Sequence, residues 1–399
     1  MNIKIGRLHL WGAIPLLIAS TVAESSLIVA PHGAGRDSDL AGVVVAAPDD
    51  GGSASLVNPA GVVSKARNEA MLAILPGTFR VSYKNPAMGY DDHGSTNYVA
   101  LNAWYGLGEI RGWSLGVGAY GSLGAAFNLP TAPGIGQTSP YLGEMGIMNV
   151  GLNAGRQLTP NLRFGVQLSP QFGMQKMRMP TPMGDAHLKA KGFGLSAAAG
   201  LVYTLTDTVS LGLAYRTPGL ARLSGDARVG NVGQDDSVNF VSPQSIAAGL
   251  AYQPAENLKL LGQLTWTRYT DFERGDIQFH QTTALNSPIL SRAINRVRWG
   301  VAMEYELIPR HTFRAGFSHS KAMIPDEALS PMMYDHDNDM IMAGYEVDFD
   351  TWRLGFTTGY AKNKERNVSM ADNPMFPGTY KSTSPLSLGV RVIWQNRRE

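Results

Sequence analysis

The sequence predicts an all-β protein, a 14-stranded antiparallel transmembrane β-barrel preceded by a segment of different composition. Three observations carry this. Apolar side chains recur at every second position over segments of about ten residues, the period of a strand rather than a helix. The 34 basic and 32 acidic residues make up 17% of the chain, where soluble domains are about a quarter charged. Short and long connections alternate between the candidate strands, as periplasmic turns and surface loops do in outer-membrane barrels.

Composition narrows the function classes. Glycine stands at 45 of 399 residues, above the usual share, yet aromatics and charges of both signs are interspersed, which argues against disorder and collagen. With no basic block, the chain lacks an electrostatic footprint for nucleic acid. The absence of cysteine removes disulfide frameworks, thiol catalysis and Cys-ligated metals.

The elements follow in chain order. Residues 1–23 place Lys4 and Arg7 before an apolar stretch through Trp11, Leu16 and Ile18 and a small-residue site at Thr21-Val22-Ala23, the order of a secretory signal peptide. Its removal would take two basic residues and no acid, so the formal charge of +2 falls to zero in the mature chain. Residues 24–70 are rich in Gly, Ala, Asp and Ser and weakly periodic, which fits either a disordered tail or an inserted plug. The barrel is expected over 71–399. Candidate strands lie near 71–83, 96–107, 112–126, 144–158, 161–173, 189–205, 208–222, 239–253, 256–270, 292–307, 310–320, 339–348, 351–361 and 384–395.

Their alternation is explicit. One face of 257–268 carries Leu258, Leu260, Leu264 and Trp266, and the other Asn257, Lys259, Gln263 and Thr265. Segment 297–307 sets Val297, Trp299 and Val301 against Arg298, Gly300 and Glu304. The last strand sets Leu386, Leu388 and Val390 against Ser387, Gly389 and Arg391. Such a face suits lipid, with glycine or polar groups inside. Tight turns are expected at Leu107–Arg111, Thr159-Pro160, Thr206-Asp207, Pro254-Ala255, Ile308-Pro309 and Asp348–Asp350, and the other connections run mostly about 12 to 25 residues. Fourteen tilted strands enclose a lumen too wide for wall side chains alone to fill.

The leading segment holds His32-Gly33-Ala34-Gly35-Arg36, Ala41-Gly42, Asp49-Asp50 and Asn58-Pro59-Ala60-Gly61. Later come Trp113-Ser114-Leu115-Gly116-Val117-Gly118-Ala119-Tyr120, Leu264-Thr265-Trp266-Thr267-Arg268-Tyr269-Thr270-Asp271-Phe272 and Ile324-Pro325-Asp326-Glu327. In content and order these motifs resemble the FadL/TodX family of outer-membrane transporters of long-chain fatty acids and aromatic hydrocarbons. The resemblance implies that residues 24–70 form a hatch inside the lumen, with Asn58, Pro59, Ala60 and Gly61 as its motif. It also implies passive uptake of hydrophobic molecules through a lateral opening beside a kinked third strand. Gly116, Gly118, Gly121 and Gly124 remove bulk there and favour bulges, and Tyr120 shares the inward parity of Ser114. The family's proline-phenylalanine pair after the tyrosine is replaced by Gly121-Ser122-Leu123, so the position of the kink is left open.

Arg163, Arg298, Arg314, Arg353 and Arg391 fall on the polar face with Glu304 and Glu306. Charges in a confined lumen are normally paired, so several are expected to hold the hatch. An unpaired member among Arg163, Arg298, Arg314 and Arg391 would instead hold a ligand carboxylate. The loops carry Met177, Met179 and Met183, then Met323, Met332 and Met333, adaptable thioethers suited to an entry groove. Asp335, Asp337, Asp339 and Glu346 share the spacing of a calcium loop, but Met340 stands where its glycine belongs, so no metal site is expected. Gly112-Trp113-Ser114-Leu115-Gly116 matches a serine-hydrolase pattern within a strand, without the required elbow.

The expected function is thus passive transport of hydrophobic compounds across the bacterial outer membrane, most simply long-chain fatty acids or related hydrocarbons. A surface barrel whose hatch never opens and an acyl hydrolase are the alternatives. The expected partners are a hydrophobic ligand, outer-membrane lipid and lipopolysaccharide, with no cofactor and no nucleic acid, and the chain acting as a monomer.

Overall fold

The computed structural model describes residues 28–29, 34–129, 141–181, 183–331 and 333–395. The expected signal peptide, His32, Gly33 and Met332 lie outside them. The wall consists of β1 (Glu69–Asn85), β2 (Tyr90–Ile110), β3 (Trp113–Leu129), β4 (Tyr141–Thr159), β5 (Leu162–Thr181) and β6 (Gly184–Thr206). Next come β7 (Val209–Arg216 with Gly219–Val229), β8 (Val232–Ser242 with Ser245–Ala255), β9 (Leu258–Thr267) and β10 (Arg296–Ile308). β11 (His311–Ser320), β12 (Asn338–Asp348), β13 (Trp352–Asn363) and β14 (Gly378–Gln395) complete it. Each strand pairs antiparallel with the next, and β14 pairs with β1, so the 14-stranded barrel is closed. β7 and β8 are interrupted at Thr217-Pro218 and Pro243-Gln244, where proline supplies no ladder donor.

Period-two alternation positions the wall. Leu260, Leu264, Trp299, Val301, Phe356, Leu386 and Leu388 are exposed on the outer face, where lipid rather than water is the solvent. Arg314 and Arg391, one residue out of phase, point inward and are buried. One end of the barrel keeps the expected tight turns, now at 111–112, 160–161, 207–208, 256–257, 309–310 and 349–351.

The other end differs from the expected run of long loops. β1 joins β2 across 86–89, β5 joins β6 across 182–183, and β7 joins β8 across 230–231. The reason is strand length: β2 runs 21 residues and β6 runs 23, more than the 9 to 11 that cross a bilayer. Beyond the lipid the alternation inverts while the ladder continues: Ala186, Leu188 and Ala190 are buried, with Lys189 and Lys191 exposed beside them. Residues 174–181 and 184–188, read from sequence as loop, are paired strand.

Residues 34–63 lie inside the barrel and are almost wholly buried. They form two short helices, α1 (Arg36–Asp39) and α2 (Gly51–Leu56), then a 3-10 turn at Pro59–Val63. On one side this inner segment meets charges from β9 to β14. Arg36 pairs with Glu304, while Lys259 reaches Asp49 at 3.0 Å. Arg391 contacts Asp39 at 2.9 Å and Glu346 at 2.8 Å, and Arg314 contacts Glu304 at 2.6 Å and Glu346 at 3.2 Å. Arg353 joins Glu69 and Glu346. On the other side the contact is close backbone approach: a Cβ at Gly165 would lie 2.2 Å from the Pro59 carbonyl oxygen, and one at Gly200 would lie 1.9 Å from Asn58 Oδ1. Only glycine fits at these two wall positions.

Candidate functional site

The β2–β3 ladder runs from Ile110/Trp113 to Asn102/Tyr120 and ends there, although both strands continue toward the outer end. On its other edge β3 stays paired with β4, with a bulge between Gly121 and Leu123 that leaves Ser122 extra. A bulge bends its strand and increases its twist, so β3 leaves β2 just after Tyr120. Ile28–Val29 pairs instead with Gly124 and Leu123 on the edge so vacated. A second break, between β1 and β14, lies between Ile74/Val390 and Arg80/Thr383 and is bounded by pairing on both sides. It contains Pro76 on β1 and Pro385 on β14, neither of which has a ladder donor.

The five third-strand positions divide around the bulge. Gly116 and Gly118 give room to the Trp104 side chain and to Ser55 of the inner segment. Tyr120 is fully buried at the last rung, and Gly121 and Gly124 flank the bend. Asn58 is also fully buried: its Nδ2 donates to the carbonyls of Val45 at 2.7 Å and Leu201 at 3.1 Å. Its Oδ1 accepts from Ala60 N at 3.1 Å, capping the turn that Pro59 begins. Pro59, Ala60 and Gly61 are buried behind it.

Three cavities adjoin this frame. A lumenal one of about 110 Å³ lies against Leu56 and Val57 of the inner segment, lined by Ser122 of the bulge, by Arg216 and mainly by residues of β8 to β12, Arg296 and Arg298 among them. Farther out, a cavity of about 740 Å³ is bounded by β2, β4, β5, β6 and β7, and includes Met177. It shares Gly143, Glu144, Lys176 and Met177 with a third of about 130 Å³, which Met145, Gln175, Met179, Ile277, Phe279 and Met333 also line. Met177 and Met179 thus stand on β5, packed against the outer apolar cluster, whereas Met183 is exposed at the β5–β6 turn.

The arginines separate likewise. Arg314 and Arg391 are engaged by the inner segment's Asp39 and by wall carboxylates. Arg298 Nη1 donates to the Ala41 carbonyl at 2.8 Å while its side chain lines the lumenal cavity. Arg163 is half-buried beside the tight turn that precedes β5.

Arg216 escaped the sequence reading. It is the last residue before the Thr217-Pro218 break, and its Nη1 donates to Tyr120 Oη and to Gln167 Oε1, each at 3.0 Å. Its Nη2 donates to the carbonyls of Ser55 at 3.3 Å and Leu56 at 2.9 Å, at the C-terminal end of α2. One guanidinium therefore joins the inner segment to the last rung before the wall gap. An inward-parity arginine just before a strand-breaking proline was the available signal.

The other motifs are absorbed by structure. Asp335 accepts from Ile324 N at 2.7 Å, Asp337 from Ala322 N at 2.9 Å, and Asp339 meets His319 at 2.7 Å. Glu346 belongs to the lumenal ion pairs, so the four acids do not converge. Ser114 is buried within β3, opposite Glu109 and Gly155.

A closed barrel whose lumen holds a packed leading segment and whose β2–β3 ladder ends at a bulge in the third strand defines a class of outer-membrane channel. The family model for outer membrane protein transport proteins (OMPP1/FadL/TodX) matches residues 112–388, and the chain belongs to that family of outer-membrane transporters of hydrophobic compounds. A FadL homologue from Pseudomonas aeruginosa superposes with a TM-score of 0.79 at 15% identity, covering 94% of this chain and 100% of that one. The toluene transporter TodX of P. putida gives 0.72 at 18% identity, with 93% and 100% covered. The toluene transporter TbuX of Ralstonia pickettii gives 0.69 at 13%, with 92% and 99% covered. A curated Neisseria meningitidis sequence, named for the outer membrane, is 21% identical over 156 residues, spanning 34% of this chain and 31% of that relative's length.

Proposed function

We propose that this chain is a passive conduit that takes hydrophobic molecules, long-chain fatty acids or related hydrocarbons, from outside and releases them sideways through the gap beside β3. The inner segment acts as the hatch that keeps the lumen from becoming an aqueous pore. One observation carries the reading: the β2–β3 ladder stops at Asn102/Tyr120, where Ser122 of the bulge lines a lumenal cavity. A molecule in that cavity lies near the stretch where β2 and β3 are no longer paired with each other and only Ile28–Val29 pairs on the β3 edge, so it need not cross a complete ladder to reach lipid. No energy source is required, because apolar surface moves from water toward hydrocarbon.

Deleting Ser122 removes the extra residue of the bulge and should extend the β2–β3 ladder. Uptake of labelled oleate and of labelled toluene is measured in a host lacking its own transporter, beside wild type. Uptake falling to the background of the empty host, with the barrel folded and at the surface, is the expected result. Undiminished uptake of both compounds would rule out this exit.

A further inference from the structure

The outward face of β5 to β7 changes character at one level. On β6 the outward stripe from Phe193 to Tyr203 has the length of the 9 to 11 residues that cross a bilayer, and both its ends are aromatic, as the girdles of such barrels are. Phe193 packs edge-on to Phe172 of β5, with ring centroids 5.6 Å apart. One outward step beyond Phe193 stands Lys191, and the next is Lys189. Across the β6–β7 ladder Phe193 faces Arg222 and Lys191 faces Ser224, so Lys191 and Arg222 are diagonal neighbours, about 7–8 Å apart at the backbone. Both are exposed.

Charges on this face are unequally matched. Lys176 pairs with Glu144 at 3.4 Å and Arg178 with Asp185 at 2.7 Å. Lys189, Lys191, Arg222 and Arg228 form no ion pair among the described residues. The other acids of the face, Asp226 and Asp235, lie opposite each other on the β7–β8 ladder. The rows through Lys191 and Arg222 therefore carry no acid from β4 to β8. Farther out, the same face borders the recess of about 740 Å³, which His187, Lys189 and Arg228 line. That volume is within the usual range of ligand sites.

A ligand for such a face needs acyl chains at the level of Phe193 and negative charge just beyond them. Phosphate suits these residues, since lysine meets it as a point charge and arginine through a planar fork. A single fatty-acid carboxylate would leave most of the cations unmatched. We propose that this face binds the lipid A headgroup of lipopolysaccharide, with one phosphate held between Lys191 and Arg222. The acyl chains lie along Phe193, Leu195 and Leu220, which are exposed directly below, and the rest of the anionic head reaches toward Lys189 and Arg228. The site is outside the lumen and holds lipid rather than cargo, so it stands independently of the uptake reading.

The test uses the full chain in detergent micelles, with bound lipid counted by native mass spectrometry over a titration. The probes are bisphosphorylated lipid A, the same lipid with both phosphates removed, phosphatidylglycerol, and inorganic pyrophosphate as a competitor. Wild type should bind lipid A roughly 10-fold more tightly than either its dephosphorylated form or phosphatidylglycerol. Lys191→Gln with Arg222→Gln should weaken lipid A binding by roughly 10- to 30-fold, the increment of two basic residues at an anionic lipid surface. Arg80→Gln with Lys84→Gln, at exposed outward positions of β1, should change it less than about twofold. Equal binding of the dephosphorylated lipid or of phosphatidylglycerol would overturn the assignment in wild type alone. Displacement by pyrophosphate at concentrations matching the lipid, or an equal loss in the β1 variant, would also overturn it.

Discussion

Asn58→Ala isolates the contribution of one side chain to the seating of the inner segment. The amide is fully buried and makes three hydrogen bonds, to Val45 O, Leu201 O and Ala60 N. Each contributes about 1 kcal/mol net, and buried partners left unsatisfied add to the loss, so the expected cost is about 2–4 kcal/mol. At 1.4 kcal/mol per factor of ten, local opening of the turn at Pro59–Val63 becomes roughly 30- to 1,000-fold more frequent. Hydrogen exchange should show this as lost protection at the Ala60 and Gly61 amides, with the barrel ladders unchanged. Uptake should fall and small-ion conductance in planar bilayers should rise, because the segment no longer guides the ligand or blocks water. Asn58→Asp retains the acceptor for Ala60 N but sets a buried carboxylate oxygen against the Val45 and Leu201 carbonyls, so it should cost at least as much as Asn58→Ala. If exchange at 58–63, conductance and uptake all match wild type in a folded Asn58→Ala barrel, Asn58 does not seat the segment.

Other substitutions probe the remaining contacts. Arg391→Met leaves Asp39 and Glu346 buried beside an apolar side chain and should destabilise the seated state by about 3–5 kcal/mol in denaturant titration. Arg67→Ala, which removes an exposed pair with Glu109, should cost under about 1 kcal/mol. Met177→Ser with Met179→Ser should slow uptake of a labelled hydrocarbon several-fold, while Met183→Ser, at an exposed turn, should leave it unchanged. Arg216→Met should raise exchange at Ser55–Asn58 while Arg36–Leu40 stays protected; an equal rise in both would mean that the segment moves as one body. In the outer loop, burial holds the His336 pKa down at about 4, against the opposing pull of its hydrogen bond to the Lys364 carbonyl. An unfolded loop would take up that proton near pH 6.5, so stability is lost as pH falls from about 6.5 toward 4, by up to about 3 kcal/mol. Proteolysis between β11 and β12 should therefore quicken over that window in wild type and not in His336→Gln.

What the sequence reveals follows where a physical constraint repeats. Lipid acts on every second residue of a membrane strand, so 258–267 and 296–307 are legible from alternation alone. Beyond the bilayer that constraint inverts: over 174–188 the outward positions carry Lys176, Arg178, Asp185 and His187, so no lipid-facing stripe marks the strand, yet the ladder pairs it to the tip. The Asn-Pro turn was visible because proline and a capping amide leave a local mark. The partners of Arg391 and Arg314 were not, since Asp39 lies hundreds of positions away and nothing local distinguishes it from Asp37. The kink was foreshadowed by glycines, but its place depended on where β2 stops pairing, a property of two strands rather than one.

The unequal attachment of the inner segment indicates which part can yield. Toward β9–β14 it is fixed by buried ion pairs, and separating such a pair leaves an uncompensated charge in a low-dielectric site. Toward β3–β7 it is fixed by close packing, by Asn58 and by Arg216, whose acceptors Tyr120, Gln167, Ser55 and Leu56 are all neutral. Hydrogen bonds from a charged donor to neutral acceptors contribute about 1.5–3 kcal/mol and exchange readily with water. The weaker attachment therefore faces the wall gap, and the lumenal cavity lies against it. A hydrophobic molecule entering that cavity works against Leu56, Val57 and the Arg216 contacts before it meets any ion pair. On the proposed route, a small displacement of the α2 end would join the cavity to the gap while the charged side keeps the lumen closed, so release by that route would not require the segment to leave the barrel.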